Sequence, residues 1–232
     1  MENRYILFGG GELAVEIASY IVDCRSAASI GGECCESVIT DIVSDFPPRR
    51  ALDIQHISGF AFKTHKSVQT VENLDDKLML ICIGDPTVRH RIFTLMRKRV
   101  KLGTIIHPTA YVSSTASVGA GSVVCPQVFI GPYAELGYNC LVNAGAVVGH
   151  DTSLGDSTTL SPGAKINGCA ITGEASFLGA GAVINPSVKL GSYSKLSAVS
   201  VLNKSVGDGF IMHGNPAKGR QMVVLPEGPH GK

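Results

Sequence analysis

The chain has 232 residues and a formal net charge of +1, and only 17% of its residues are charged. This length allows one large domain or two modest ones, and the 44% hydrophobic content excludes an intrinsically disordered protein. The near-neutral charge gives no overall field that would attract nucleic acid or an anionic membrane, so we expect no nucleic-acid partner.

The first hundred residues alternate between apolar strands and amphipathic helices. The segments RYILFGGG, SVITDIVSD and KLMLICIGD are predicted strands. The segment ELAVEIASYIV is a predicted helix whose inward face carries Leu13, Ile17, Tyr20 and Ile21. A second predicted helix, PTVRHRIFTLMRKRV, has Pro86 near its start and is expected to turn inward Ile92, Leu95 and Met96. This order predicts a small parallel α/β sheet, and the stretches 25–35 and FPPRRALDIQHISG are interpreted as loops.

A glycine-rich turn joins the first predicted strand to the first helix. Gly9, Gly11 and Ala14 satisfy G-x-G-x-x-A, a turn whose backbone N–H groups can approach a phosphate. An NAD site would also need an acidic residue about 20 residues further on. The candidates, Asp41 and Asp45, come well after that position. We therefore interpret the turn as a pyrophosphate cradle and not as an NAD site.

The seven cysteines are an odd number, and they lie singly apart from the adjacent Cys34 and Cys35. They show no metal-ligand spacing, so we expect reduced thiols in a cytoplasmic protein. The amino terminus lacks the features of a signal peptide, and no run of about 18 apolar residues predicts a membrane span.

From Ile106 onward an aliphatic residue recurs at every sixth position, with one exception. A short residue precedes most of these positions by two, and glycine often follows. The series consists of Ile106, Val112, Val118, Val124, Ile130, Leu136, Val142, Val148, Leu154, Leu160, Ile166, the exceptional Thr172, Leu178, Ile184, Leu190, Leu196 and Leu202. A period of six fits neither a helix nor a simple meander. It predicts a β-solenoid with three faces per coil and between five and six coils, in which the aliphatic side chains point inward.

The pattern [LIV]-G-x-x-x-x resembles that of the hexapeptide-repeat acyltransferases, whose fold is a left-handed parallel β-helix. The combination with FGGGELA resembles one branch, the sialic acid O-acetyltransferase-like family. That family includes nucleotide-sugar N-acetyltransferases for bacterial glycans such as lipopolysaccharide. The resemblance implies a Rossmann-like α/β nucleotide-sugar-binding domain (1–103), a left-handed β-helix acyltransferase domain (104–222) and a C-terminal tail (223–232).

The segment NAGAVVGHDTSLGD contains an adjacent His150 and Asp151, a pair suited to acid–base chemistry. Imidazole titrates closest to neutral pH, and a carboxylate on its other nitrogen fixes the tautomer. Adjacent side chains on a strand point to opposite faces, so the pairing requires a corner, which Gly149 makes plausible. By resemblance, His150 is the general base, Asp151 orients it, and Asn143 lies near the acceptor.

The resemblance also implies where acetyl-CoA and a nucleotide-linked amino sugar bind. For the acetyl-CoA site it indicates that the Gly168 N–H donates to the oxyanion and that the backbone at Ala180 and Ala198 contacts pantetheine. Lys218 in HGNPAKGR would contact the phosphates of CoA. Thr159 stands where the family often has a second histidine, and its hydroxyl can also donate a hydrogen bond. For the sugar nucleotide it indicates Gly9, Gly11, Asp85 and Arg89, although Glu12 and Leu13 depart from the family's G-x-G-G-H-A. It further implies a homotrimer with CoA between neighbouring solenoids, and no metal.

Three alternatives stay open at this stage. The same fold and base would serve O-acetylation of a sugar such as sialic acid. A metal hydratase of the γ-carbonic anhydrase type needs three converging imidazoles, whereas His150 is the only histidine between Val112 and Leu202. A non-catalytic trimeric scaffold would explain the departures at Leu13 and Thr159.

Overall fold

The computed structural model describes residues 3–31, 37–44 and 50–222. The amino-terminal part contains a five-stranded parallel sheet in the order β3-β2-β1-β4-β5. Its strands are β1 (Asn3–Phe8), β2 (Ser37–Val43), β3 (Lys63–His65), β4 (Leu78–Ile81) and β5 (Lys101–Leu102). Its helices are α1 (Glu12–Gly31), α2 (Ala51–Ser58) and α3 (Pro86–Met96), with 3-10 turns at Val68–Thr70 and Leu74–Asp76.

Helices cover both sides of this sheet. Successive residues of β1 face opposite sides of the sheet, so neighbouring residues of this strand pack against different helices. Tyr5 and Leu7 pack with buried residues of α1, whereas Ile6 packs with Phe93 of α3. The predicted α/β sheet is therefore present. It places the carboxyl ends of β1 and β4 side by side at the point where the chain reverses its direction of travel across the sheet. In open α/β sheets this is where ligands bind.

Three details of the sequence interpretation are wrong. Helix α1 continues to Gly31, because the stretch predicted to be a loop contains no proline or glycine before that residue. Helix α2 lies in a segment interpreted as a loop, after the two prolines Pro47 and Pro48. On α3, Leu95 is 57% exposed, and the most buried side chains are Arg89 and Phe93.

The second part of the chain is a three-sided stack of two-residue parallel strands, as the six-residue period predicted. The first face contains β6 (Ile105–Ile106), β9 (Val123–Val124), β12 (Leu141–Val142), β15 (Thr159–Leu160), β18 (Phe177–Leu178) and β21 (Lys195–Leu196), extended by β23 (Phe210–His213) and β24 (Lys218–Gln221). The second face contains β7 (Tyr111–Val112), β10 (Phe129–Ile130), β13 (Val147–Val148), β16 (Lys165–Ile166), β19 (Val183–Ile184) and β22 (Val201–Leu202). The third face contains β8 (Ser117–Val118), β11 (Glu135–Leu136), β14 (Ser153–Leu154), β17 (Ile171–Thr172) and β20 (Lys189–Leu190).

The recurring aliphatic residues fill the inside of this prism. From Val124 onward each of them is buried, whereas Ile106 is 41% exposed because the first coil ends the stack. Thr172, the exception in the series, is also buried, and its hydroxyl pairs with the Thr158 hydroxyl at 3.1 Å. A polar residue is tolerated there because its hydrogen bond is satisfied inside.

Three columns of turns form the corners of the prism. The first corner joins the first face to the second, the second corner joins the second face to the third, and the third corner leads back to the first face. Residues 18 apart in sequence occupy equivalent places on successive coils, as the pairing of Phe129 with Val147 shows. The second corner joins the second and third faces, so in a three-sided prism it lies opposite the first face.

The amino-terminal part packs on the first face and the third corner. Arg89 of α3 is 2% exposed, and its guanidinium donates to the carbonyl oxygens of Ser157, Asn139 and Ile83 at 2.8, 3.2 and 3.0 Å. Asp23 Oδ2 of α1 lies 3.1 Å from His107 Nε2 of the first coil. On the first face the outward residues Val123, Leu141 and Thr159 are buried, whereas His150 and Asp151 at the second corner are exposed.

The described residues include no helix long and apolar enough to span a membrane. Cys34, Cys35, Asp45 and the predicted tail 223–232 lie outside the described residues. The chain leaves the amino-terminal sheet after Leu102 of β5 and enters the first face of the solenoid at Ile105 of β6. This change lies next to the predicted start of the second domain.

Candidate functional site

The His150–Asp151 pair occupies a turn of the second corner. His150 Nδ1 and Asp151 Oδ2 are 2.7 Å apart, so the carboxylate holds one ring nitrogen and leaves the other free. Asp151 has φ 54°, a left-handed conformation that Asp adopts more readily than most residues. This conformation turns its side chain back toward the preceding histidine. The His150 and Asp151 side chains are 63% and 55% exposed, so substrate can reach them.

Gly168 lies one coil beyond His150, directly against the imidazole. A Cβ at this position would come within 2.5 Å of His150 Nε2 and 2.6 Å of Cε1, so a side chain there would displace the ring from this position. Among the described residues, no acceptor pairs with the Gly168 N–H. A free backbone donor therefore lies on the residue that contacts the imidazole, and a fixed donor of this kind is what an oxyanion requires.

The residues predicted near the acceptor and pantetheine lie on a different corner. Asn143, Ala180 and Ala198 all belong to the first corner, and both alanines are exposed. The Asn143 side chain donates to the Leu160 carbonyl at 2.7 Å, and Asn167 makes the equivalent bond to Ile184 on the second corner. Because two corners share this interaction, it is a feature of the solenoid, and it accounts for Asn143 without a substrate.

The glycine-rich turn lies at the carboxyl ends of β1, β2 and β4. Gly9 N donates to Val43 O at 2.8 Å, and a Cβ on Gly9 would lie 2.8 Å from Cys82 O. With φ +109° as well, this residue must be glycine. A Cβ on Gly11 would meet nothing within 4 Å, so the space outside the turn is open. The turn therefore borders the open space at the carboxyl ends of β1 and β4, which we call the crevice because ligands of open α/β sheets bind at this point.

Asp85 stands on the other side of this crevice, at the beginning of α3. Its Oδ1 accepts from Thr87 N at 2.9 Å and Val88 N at 3.0 Å, which makes it the N-cap of the helix. Its second carboxylate oxygen lies 3.8 Å from Lys195 Nζ on the first face of the solenoid. The crevice thus adjoins the first face, on the opposite side of the prism from His150.

The structure gives Arg89 and Thr159, both predicted to bind substrates, partners within the chain. The Arg89 guanidinium also donates to Thr159 Oγ1 at 2.6 Å, and the Thr159 side chain is buried by this contact. To bind a sugar nucleotide or CoA, both residues would have to give up interactions that join the two parts of the chain. Burial lowers the pKa of Arg89 to about 10, which still leaves it charged at neutral pH. We therefore propose that both residues serve the contact between α3 and the solenoid.

Sequence reasoning missed Cys169, which belongs to the same cluster as the histidine pair. It is exposed, and its sulfur lies within 4.8 Å of ligand atoms of both His150 and Asp151. The signal was available, because Cys169 follows Asp151 by 18 residues and therefore occupies the same place one coil further on. Lys218, predicted at the CoA phosphates, is exposed at the start of β24.

Several solved structures similar to this chain are acetyltransferases. A histidine-to-asparagine variant of perosamine N-acetyltransferase from Caulobacter crescentus, in complex with CoA and GDP-perosamine, has a TM-score of 0.80 and 27% identity over 94% of this chain and 97% of that one. The acetyltransferase domain of PglB from Neisseria gonorrhoeae has a TM-score of 0.75 and 26% identity over 94% and 100%. No family profile and no curated protein sequence matches the chain.

The chain has the fold of the hexapeptide-repeat sugar N-acetyltransferases. The predicted resemblance and the predicted fold class, an α/β sheet domain followed by a left-handed parallel β-helix, are confirmed. WeeI from Acinetobacter baumannii, at 22% identity and a TM-score of 0.73 over 95% of this chain and all of that one, has the same fold.

A single copy of this acetyltransferase fold does not bring all the candidate residues together. His150, Asp151 and Gly168 share the second corner, and Ala180 and Ala198 share the first. The crevice beside Gly9, Gly11 and Asp85 opens next to the first face. The three groups lie on different sides of the prism.

Proposed function

We propose that this protein transfers an acetyl group from acetyl-CoA to the amino group of a nucleotide-linked sugar for a bacterial glycan. The observation that carries the proposal is the histidine of the second corner, with one ring nitrogen held by a carboxylate and the other beside an unpaired N–H. The similar structures supply the substrate class, since one of them holds CoA together with GDP-perosamine.

The chemistry requires one proton acceptor and one oxyanion donor. The sugar amine attacks the thioester carbonyl carbon, and His150 accepts the proton that the amine loses. Asp151 fixes the imidazole tautomer and stabilises the imidazolium. The Gly168 N–H donates to the oxygen of the tetrahedral intermediate, which collapses as the C–S bond breaks and the CoA sulfur leaves. The leaving thiolate can take up a proton from the imidazolium, so the base returns to its starting state, and no step needs a metal.

The nucleotide is assigned to the crevice between the glycine-rich turn and Asp85. The helix α1 begins there at Glu12, and its first N–H groups can approach a pyrophosphate. The first helical residue is acidic, which opposes a phosphate placed on the helix axis. We therefore assign the pyrophosphate to the backbone of Gly9 and Gly11, where the space is open.

A homotrimer is part of this proposal, because the three groups of site residues lie on different sides of one prism. If the second corner of one copy meets the first corner of the next, His150 and Gly168 come to face Ala180 and Ala198 across a groove. The second face, between these corners, carries exposed apolar residues, including the stacked rings of Tyr111 and Phe129 at 5.1 Å. An apolar strip of this kind is suited to burial against another copy.

A cytoplasmic location belongs to the same proposal. The five cysteines in the described part of the chain, Cys24, Cys82, Cys125, Cys140 and Cys169, are all free thiols. Thiols of this kind are typical of a reducing compartment.

The test is a direct assay of thiol release from acetyl-CoA with a panel of nucleotide-linked amino sugars. We expect turnover with at least one amine and a fall of roughly 10²–10⁴ in kcat for His150→Ala. The matched control is His56→Ala on the exposed side of α2, which should retain full activity. Turnover only with hydroxyl sugars would replace N-acetylation by O-acetylation, and activity unchanged in His150→Ala would contradict the assigned base.

A further inference from the structure

The second corner carries three different metal-ligating side chains side by side. Asp151 and Cys169 hold equivalent positions on successive coils, and both have left-handed backbones, with φ of 54° and 60°. Their side chains therefore leave the corner in parallel. His150 leans over Gly168 toward the same place, because the glycine has no side chain to keep it away. A ring nitrogen, a carboxylate oxygen and the sulfur all lie within 4.8 Å of one another.

We infer that these three residues form a binding site for a thiophilic divalent cation such as Zn²⁺, with the ion as an inhibitor of the base. Imidazole, carboxylate and thiolate are the donor types that zinc takes, at about 2.0–2.3 Å. Donors sharing one zinc ion therefore lie roughly 3–4 Å apart, so small rotations of exposed side chains would complete the site. A water molecule or a ligand sulfur can fill the fourth position.

Exposure distinguishes Cys169 from the other cysteines of the described ranges. Cys82, Cys125 and Cys140 are buried, and burial raises the pKa of Cys125 and of Cys140 to about 12. Those thiols stay protonated and out of reach of an ion in solution. Cys169 is exposed beside two further ligands, so it is the sulfur that an arriving zinc ion meets.

The consequence for activity depends on the proposed function. A ring nitrogen that coordinates zinc has no lone pair left to accept a proton from the sugar amine. Binding of the ion therefore removes the general base, and metal binding and acetyl transfer exclude each other. The binding itself does not depend on which reaction the protein catalyses.

The binding test uses the full chain with Co²⁺ as a spectroscopic probe and Zn²⁺ as its competitor. We expect a sulfur-to-cobalt charge-transfer band that zinc abolishes. The band should disappear in Cys169→Ser and weaken strongly in His150→Ala, with a loss of zinc affinity greater than the roughly 10–100-fold typical of an outer-shell substitution. Cys24→Ser and the double variant Cys34→Ser, Cys35→Ser are the matched controls and should keep the band. No band, or a band that survives Cys169→Ser, overturns the site.

The activity test separates this inference from the proposed function. Zinc should inhibit acetyl transfer by the unchanged protein, a chelator should restore it, and Cys169→Ser should transfer acetyl normally while resisting zinc. Serine already occupies the same turn position at Ser187, so the substitution fits the backbone. A cobalt band without any acetyl transfer would refute the proposed function and leave the metal site standing. Acetyl transfer without a band would refute the metal site and leave the proposed function standing. Equal inhibition of Cys169→Ser and the unchanged protein by zinc would contradict the inhibitory role of the ion.

Discussion

At the scale of single residues, the contact between Gly168 and the His150 ring makes a sharp prediction. In Gly168→Ala the new Cβ would come within 2.5 Å of Nε2, so the exposed ring must move away. A misplacement of about 1 Å can cost roughly 100-fold in rate. We therefore expect kcat to fall by about that factor, while the KM for acetyl-CoA and the thermal stability change little, as measured by steady-state kinetics and thermal unfolding.

The control for this prediction is Gly207→Ala near the end of the solenoid. A Cβ there would make an ordinary contact, 3.8 Å from a ring carbon of Phe210, and the residue is remote from the second corner. It should leave kcat unchanged. Normal turnover in Gly168→Ala would show that the ring orientation found here is not the one used for proton transfer.

The histidine pair could be predicted from the sequence because its two members are adjacent and need only a turn. The positions of Arg89 and Thr159 could not, because they are 70 residues apart and meet only when α3 packs on the first face. Cys169 was within reach of sequence reasoning, since a period of six and three faces per coil place it directly beyond Asp151. A periodic fold makes such neighbours predictable, whereas a contact between two differently built parts is not.

At the scale of elements, the buried Arg89 joins α3 to the solenoid. Its guanidinium donates to several carbonyl oxygens and to one hydroxyl, and a lysine amine would reach only some of these acceptors. We expect Arg89→Lys to lower the free energy of unfolding by about 2–3 kcal/mol, because buried carbonyl groups lose their donors. Urea unfolding followed by circular dichroism measures this change.

Arg97→Lys is the matched control on the same segment. Arg97 is exposed and its guanidinium lies over the Phe93 ring at 5.6 Å, so the substitution should cost less than about 1 kcal/mol. A role of Arg89 as a substrate ligand predicts a different result. It requires a higher KM for the sugar nucleotide with unchanged stability, and that outcome would restore Arg89 to the binding site.

The two halves of the chain differ in how far their elements could be predicted. In the solenoid each aliphatic position is fixed by its neighbours one coil away, so the pattern repeats many times and one exception, Thr172, does no harm. In the α/β part no element repeats, so the pattern of each helix is not reinforced by further copies. The apolar Leu95 is exposed while the charged Arg89 is buried, because the first face of the solenoid supplies partners that the helix pattern alone does not reveal.

At the scale of the whole molecule, the site residues occupy different sides of one prism, so the proposed reaction needs more than one copy. This arrangement predicts complementation between two inactive variants. His150→Ala removes the base at the second corner, and Ala180→Phe obstructs the first corner, where an exposed alanine can be enlarged without disturbing the core. Each variant alone should be inactive, because every groove between copies then lacks one half.

Co-expression of the two variants with different affinity tags yields mixed oligomers for assay. If each groove combines the second corner of one copy with the first corner of the next, about a quarter of the grooves in randomly mixed trimers contain two intact halves. We expect activity near that fraction of the unchanged protein, and a molar mass of three chains by light scattering. If both corners of one copy formed a site by themselves, each chain would carry one defect and the mixture would stay inactive. A monomer in solution would contradict the shared groove in the same way, because no second copy would bring pantetheine to the imidazole.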